Sequence, residues 1–128
     1  MRTVLLLTVF AVSTAAFAGK YQPVYTGEVS YPMGTASSAV EKAVKKALIQ
    51  RGWRVREAKD GTILARLNLR GHQADIKVSW EGGTIQLVHE SSNNLGYRVK
   101  KGEKFIHRNY NNWIMNLERD IQVFLQDV

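Results

Sequence analysis

Between Trp53 and Ser91 the chain alternates apolar and polar residues, and glycines interrupt the alternation at short intervals. Ile63, Ala65, Leu67 and Leu69 form one apolar set, Ala74, Ile76, Val78 and Trp80 the next, and Ile85 and Leu87 continue it. Successive side chains of a strand point to opposite faces, so a period of two gives each run one apolar face. The breaks at Asp60-Gly61, at Gly71 and at Gly82-Gly83 suit tight hairpins. The segment predicts an antiparallel sheet of about four strands with one buried face. Its other face would carry Arg66, Asn68, Arg70, Gln73, Asp75, Lys77, Ser79, Gln86 and Glu90, with Leu64 and Val88 as the large apolar exceptions.

Such a sheet has to be covered, and the flanking segments have the period to do it. In residues 38–51, Val40, Ala43, Val44, Ala47 and Leu48 recur at three and four, with Lys42, Lys45 and Lys46 off the stripe. Ser38 and Glu41 fit a capping box, and Gly52 a left-handed stop. Ile49 falls on the outward side. From Phe105 onward, Ile106, Tyr110, Trp113, Ile114, Leu117, Ile121, Phe124 and Leu125 make a wide apolar stripe. The fold class expected is α+β, with two helices packed on one face of the sheet. Trp80 and Trp113 are expected to be buried between the sheet and the second helix.

The first residues read differently. Arg2, an apolar run from Val4 through Val12, and Ala16-Phe17-Ala18 before Gly19 make a signal peptide over residues 1–18, with cleavage after Ala18. The apolar run is too short for a membrane anchor, so no transmembrane segment is expected in the mature chain and a periplasmic location follows. The chain has no cysteine, which excludes disulfides, thiolate nucleophiles and a lipid anchor on cysteine. Net charge is +7, and loss of Arg2 leaves about +6, enough to guide the protein toward anionic surfaces such as phospholipid headgroups or acidic glycans. Residues 19–35 hold both prolines, Pro23 and Pro32, and read as an extended arm with a short edge strand near Thr26 to Ser30. Residues 36–128 read as a single domain.

A search for chemistry finds no phosphate loop, no nucleophile elbow and no His-Glu-x-x-His. His72 and Asp75 are three apart on a strand and point to opposite faces, which argues against a shared metal ion. Glu57 with Asp60, and Glu81 with Glu90, lack apolar neighbours that would raise a carboxyl pKa. No cofactor, metal site or specific nucleic-acid module is expected. Residues 91–104 read as a long loop returning to the second helix, where His107 and Asn111 lie four apart at the edge of the apolar stripe. That places Ser91, Ser92, Asn93 and Asn94 beside His107 and Asn111 as one polar cluster. With Tyr97 and Arg108 it forms a candidate ligand-binding edge. The plainer reading is that these side chains only satisfy loop backbone groups.

The stretch Ser91-Ser92-Asn93-Asn94-Leu95-Gly96-Tyr97 and the pattern Ile106-His107-Arg108-Asn109-Tyr110-Asn111-Asn112-Trp113-Ile114 with Leu117 resemble a family of small exported proteins and lipoproteins of Gram-negative bacteria. Arg51-Gly52-Trp53 and Gly61-Thr62-Ile63-Leu64-Ala65 are similar to the same group. The resemblance implies an envelope location and no particular activity. This chain departs from the lipoprotein members in lacking the anchoring cysteine. The expectation is a non-enzymatic periplasmic accessory or binding protein, with an envelope protein or an anionic envelope component as partner. The competing expectations are a small cell-wall-acting enzyme and an inhibitor or immunity-type protein of a secreted enzyme.

Overall fold

The computed structural model describes residues 19–127; the expected signal peptide lies outside the described residues. They form β1 (Tyr21–Pro23), β2 (Gly27–Ser30), α1 (Ser37–Gln50), β3 (Arg54–Lys59), β4 (Thr62–Leu69), β5 (His72–Glu81), β6 (Thr84–Asn93), β7 (Arg98–Lys100), β8 (Glu103–His107) and α2 (Arg108–Leu125). The strands build two antiparallel sheets, one of five strands in the order β2-β6-β5-β4-β3 and one of three in the order β1-β8-β7. The class is α+β, with more strands than the four expected. β2, at the edge of the larger sheet, is the short strand expected near Thr26 to Ser30, and β1, β7 and β8 are the unexpected ones.

The meander is held in register by its turns and its apolar face together. Arg70 and Gly71 have φ of 52° and 79°, and Gly82 and Gly83 have 58° and 89°. Two left-handed residues in a two-residue loop twist in the same sense as the strands they join. Arg70 therefore belongs to a turn, where a place on the outer sheet face was expected. The register sets Ile63 against Val78, Ala65 against Ile76 and Trp80 against Ile85, so apolar side chains of neighbouring strands share the inner face. Leu69, at the end of its strand beside the turn, is exposed although its parity is apolar.

The apolar stripes of α1 and α2 join that inner face in one buried cluster. Fully burying each large aliphatic side chain contributes about 1.5–3 kcal/mol. Helix α1 closes as expected: Gly52 has φ of 85°, and the Trp53 and Gly52 amides donate to Leu48 and Ile49 carbonyls. Its start departs from the capping box. The N-cap is Ala36 without a side-chain cap, and Glu41 pairs with Lys45. Ile49 is exposed on the outward side. Helix α2 starts at Arg108, later than Phe105, because Phe105 and Ile106 pair with β1.

Tryptophan burial divides. Trp80 is buried, and its indole N–H donates to Ser37 Oγ at 2.8 Å, at the start of α1. Trp113 is only half-buried. Tyr110, Ile114, Leu117 and Ile121 hold the centre of the α2 stripe, and Trp113 stands at its margin. Gly27 lets α2 approach β2 closely: a Cβ there would sit 2.8 Å from Ile114 Cγ2.

Candidate binding site

A bulge in β6 decides where the candidate residues go. Ile76 pairs with His89 and Asp75 with Ser91, so Glu90 is the extra residue. Upstream of the bulge, His89 continues the inward set of Ile85 and Leu87. Downstream the parity flips: Ser91 faces outward and Ser92 inward. Ser91 Oγ donates to Asp75 at 2.9 Å, and Asp75 also accepts two bonds from the Arg66 guanidinium. Those bonds hold the Asp75 carboxyl below the usual carboxylate range, Arg66 first and Ser91 in support. Ser92 Oγ shares a 2.9 Å hydrogen bond with His89 Nε2. Asn93 lies exposed opposite Gln73.

The two asparagine and tyrosine positions that follow are also held. Asn94 has φ of 59°, and its amide donates to the Gly71 carbonyl at 3.2 Å. Its own carbonyl accepts from His72 Nδ1. The Tyr97 ring stacks on His89 with centroids 4.5 Å apart, and Tyr110 meets the same imidazole edge-on at 5.3 Å. Residues 91–97 are thus tied to the end of the meander, and residues 98–107 form the β7–β8 hairpin where a loop was expected.

His107 is the N-cap of α2, not a residue on its surface. Its Nδ1 accepts from the Asn109 amide at 3.0 Å, so Nε2 carries the ring proton. The backbone reaches the loop directly, with the His107 amide donating to the Leu95 carbonyl at 2.8 Å. The imidazole lies 6.3 Å from that of His72 and edge-on to Tyr21 at 5.9 Å. Burial first, then Lys20, His72 and Arg108, push the His107 pKa below that of a free imidazole. His89 is lowered in the same direction, by burial first and then by Lys104. Tyr110, fully buried with its hydroxyl unpartnered, is raised by burial.

Asn111 does not join this group, which corrects the expected cluster. It is 3% exposed, accepts from the Tyr25 amide at 2.9 Å, and donates to the Pro23 carbonyl at 2.9 Å and to Gln22 Oε1 at 3.3 Å. Glu118, further along α2, accepts from the Tyr25 hydroxyl and the Glu28 amide. That bond to Glu118, followed by burial, raises the Tyr25 pKa to about 12. Asn111 and Glu118 thus strap the N-terminal segment to α2. One turn of helix separates Asn111 from the His107 cap: His107 pairs with Tyr21 at the start of β1, and Asn111 bonds Gln22 and Pro23 at its end.

Tyr21, on the N-terminal arm and outside the expected cluster, is central to this end. The Arg98 guanidinium lies 4.4 Å from its ring centroid and the Lys20 ammonium 5.9 Å. The ring covers Gly96, whose φ is 63° and whose missing Cβ leaves the room. The Arg108 amide donates to the Lys20 carbonyl, so Arg108 stands beside the same group. A separate depression of about 350 Å³ lies toward the hairpin tip, lined by Pro23, Val24, His89, Gly102 and Lys104 among others. The one legible signal was the alternation Ile85, Leu87, His89, which places His89 inward. Nothing in spacing alone brings Tyr21 to Gly96 and Arg98.

Among the described residues no group of three or more His, Cys, Asp or Glu side chains is placed to hold a metal ion, and no helix is long and apolar enough to cross a membrane. No protein-family model matches the chain, and neither a curated protein nor a solved structure matches it.

Proposed function

We propose that this chain is an exported, non-enzymatic binding protein of the cell envelope, and that it takes an anionic envelope component at the end of the fold built around Tyr21. The observation that carries the reading is the grouping of Arg98 and Lys20 on the Tyr21 ring beside Arg108, none of them in an ion pair among the described residues. Elsewhere Arg51, Lys59 and Arg66 are matched to Asp120, Glu57 and Asp75. Cations set on a rigid aromatic platform with no acid of their own suit an anion supplied from outside. The signal-peptide pattern and the resemblance to exported Gram-negative proteins supply the location.

Retention on immobilised heparin tests the anion reading. The Arg98→Ala, Arg108→Ala double variant should elute at distinctly lower salt while keeping its melting temperature; unchanged elution refutes the reading. Mass spectrometry of protein from the native envelope should find the mature N-terminus at Gly19. Recovery only of the chain starting at Met1 from the cytoplasm refutes the location.

A further inference from the structure

The hairpin that follows the Tyr21 group has a composition that anion binding alone leaves unexplained. From Leu95 to Arg108 the chain carries the cations Arg98, Lys100, Lys101, Lys104 and Arg108 and one acid, Glu103. In the middle of the cations stands Val99, 56% exposed, and just before them Tyr97, 39% exposed with one ring face on His89. The register sets Val99 against Lys104 and Lys100 against Glu103. Lys101 and Gly102, with φ of 51° and 79°, form a tight two-residue turn, so the tip is stiff. Strand β7 is the outer strand of its sheet, and all three of its residues are exposed. Its free rim is therefore Arg98, Val99 and Lys100, continued by Lys101 at the tip.

A soluble polyanion would meet the cations of the rim and gain nothing from the valine. A bilayer surface meets both. Phosphate headgroups attract the cations, and the headgroup-acyl boundary takes an aliphatic and an aromatic side chain out of water. The open backbone edge of β7 limits the depth, because unpaired amide and carbonyl groups cannot enter hydrocarbon. We propose that the β7–β8 hairpin docks edge-on at headgroup level on a phospholipid bilayer bearing anionic lipid, with Val99 as the inserted residue. The proposal rests on the anion-binding reading above and names the source of the anion.

Sedimentation of the purified full chain with phosphatidylglycerol vesicles tests it, with phosphatidylcholine vesicles to report any contribution of the apolar run in residues 4–12. Heparin retention is measured in parallel. Val99→Ser should weaken partitioning to the anionic vesicles by about fivefold, since part of one apolar side chain no longer leaves water, and leave heparin retention unchanged. Lys100→Glu with Lys101→Glu should weaken vesicle binding by more than about tenfold. The same charge change at Lys42 and Lys77, away from the hairpin, should cost much less. The inference is overturned if the chain is retained on heparin and does not sediment with anionic vesicles; the anion-binding reading then survives. It is also overturned if Val99→Ser sediments like the unmodified chain, or if the Lys42, Lys77 pair loses as much as the hairpin pair. Loss of both heparin and vesicle binding in the unmodified chain removes the anion-binding reading as well.

Discussion

Replacing Asn111 with alanine removes three hydrogen bonds at once, and two of them belong to backbone groups. The Tyr25 amide loses its acceptor and the Pro23 carbonyl loses its donor. Each buried polar group left without a partner costs about 1–3 kcal/mol. The segment from Gln22 to Tyr25 is half-buried, so water reaches the released groups in part and the lower half of that range applies. The expected loss is about 2–4 kcal/mol for the pair. For a domain of this size a kcal/mol corresponds to about 4 °C, so the melting temperature followed by circular dichroism should fall by roughly 8–16 °C. A second readout isolates the mechanism: amide exchange at Tyr25 should accelerate in Asn111→Ala more than exchange at Ile76 or Val78 in the centre of the meander. A melting temperature within about 2 °C of the unmodified protein, or unchanged exchange at Tyr25, refutes the strap. The double variant with Glu118→Gln should show coupling, because both side chains hold the same segment.

Trp113→Ala should cost about 2–3 kcal/mol, below the range for a fully buried tryptophan, because the ring is half-buried at the stripe's margin; a urea titration showing more than about 4 kcal/mol would place the ring in the core. Gly27→Ala should destabilise by about 1–3 kcal/mol, since its Cβ would press on Ile114 Cγ2; a Gly27→Ala protein as stable as the original refutes the close approach of α2. The histidine pair gives a pH dependence. Folded pKa values below the free value of about 6.5 mean that stability from His89 and His107 is present above that pH and is lost as pH falls through the folded pKa values. Both imidazole resonances should titrate with midpoints below about 6.5 by NMR, and a midpoint at or above that value for His89 contradicts its burial between Tyr97 and Tyr110.

What could be read from residues alone was whatever repeats locally. The alternation from Ile63 to Leu87 set the inner face of the meander, because a strand's side-chain period is two whatever surrounds it. The glycines at 71, 82 and 83 marked turns because only left-handed residues close a two-residue hairpin with the right twist. The stripes of both helices and the stop at Gly52 were legible for the same reason. Tertiary structure decided the rest, through contacts between segments far apart in the chain. The β6 bulge sends Ser91 outward to Asp75 and Ser92 inward to His89, and one unpaired residue reverses a parity that no local pattern records. Residues 98–107 became a hairpin because β1, from the other end of the chain, was there to pair with β8, and that pairing moved the start of α2 to Arg108. Asn111 was legible as polar at the edge of an apolar stripe. Its partners, Tyr25 and Pro23, were not, because they lie more than eighty residues away in sequence and meet it only when β1 and β2 take their places in two different sheets.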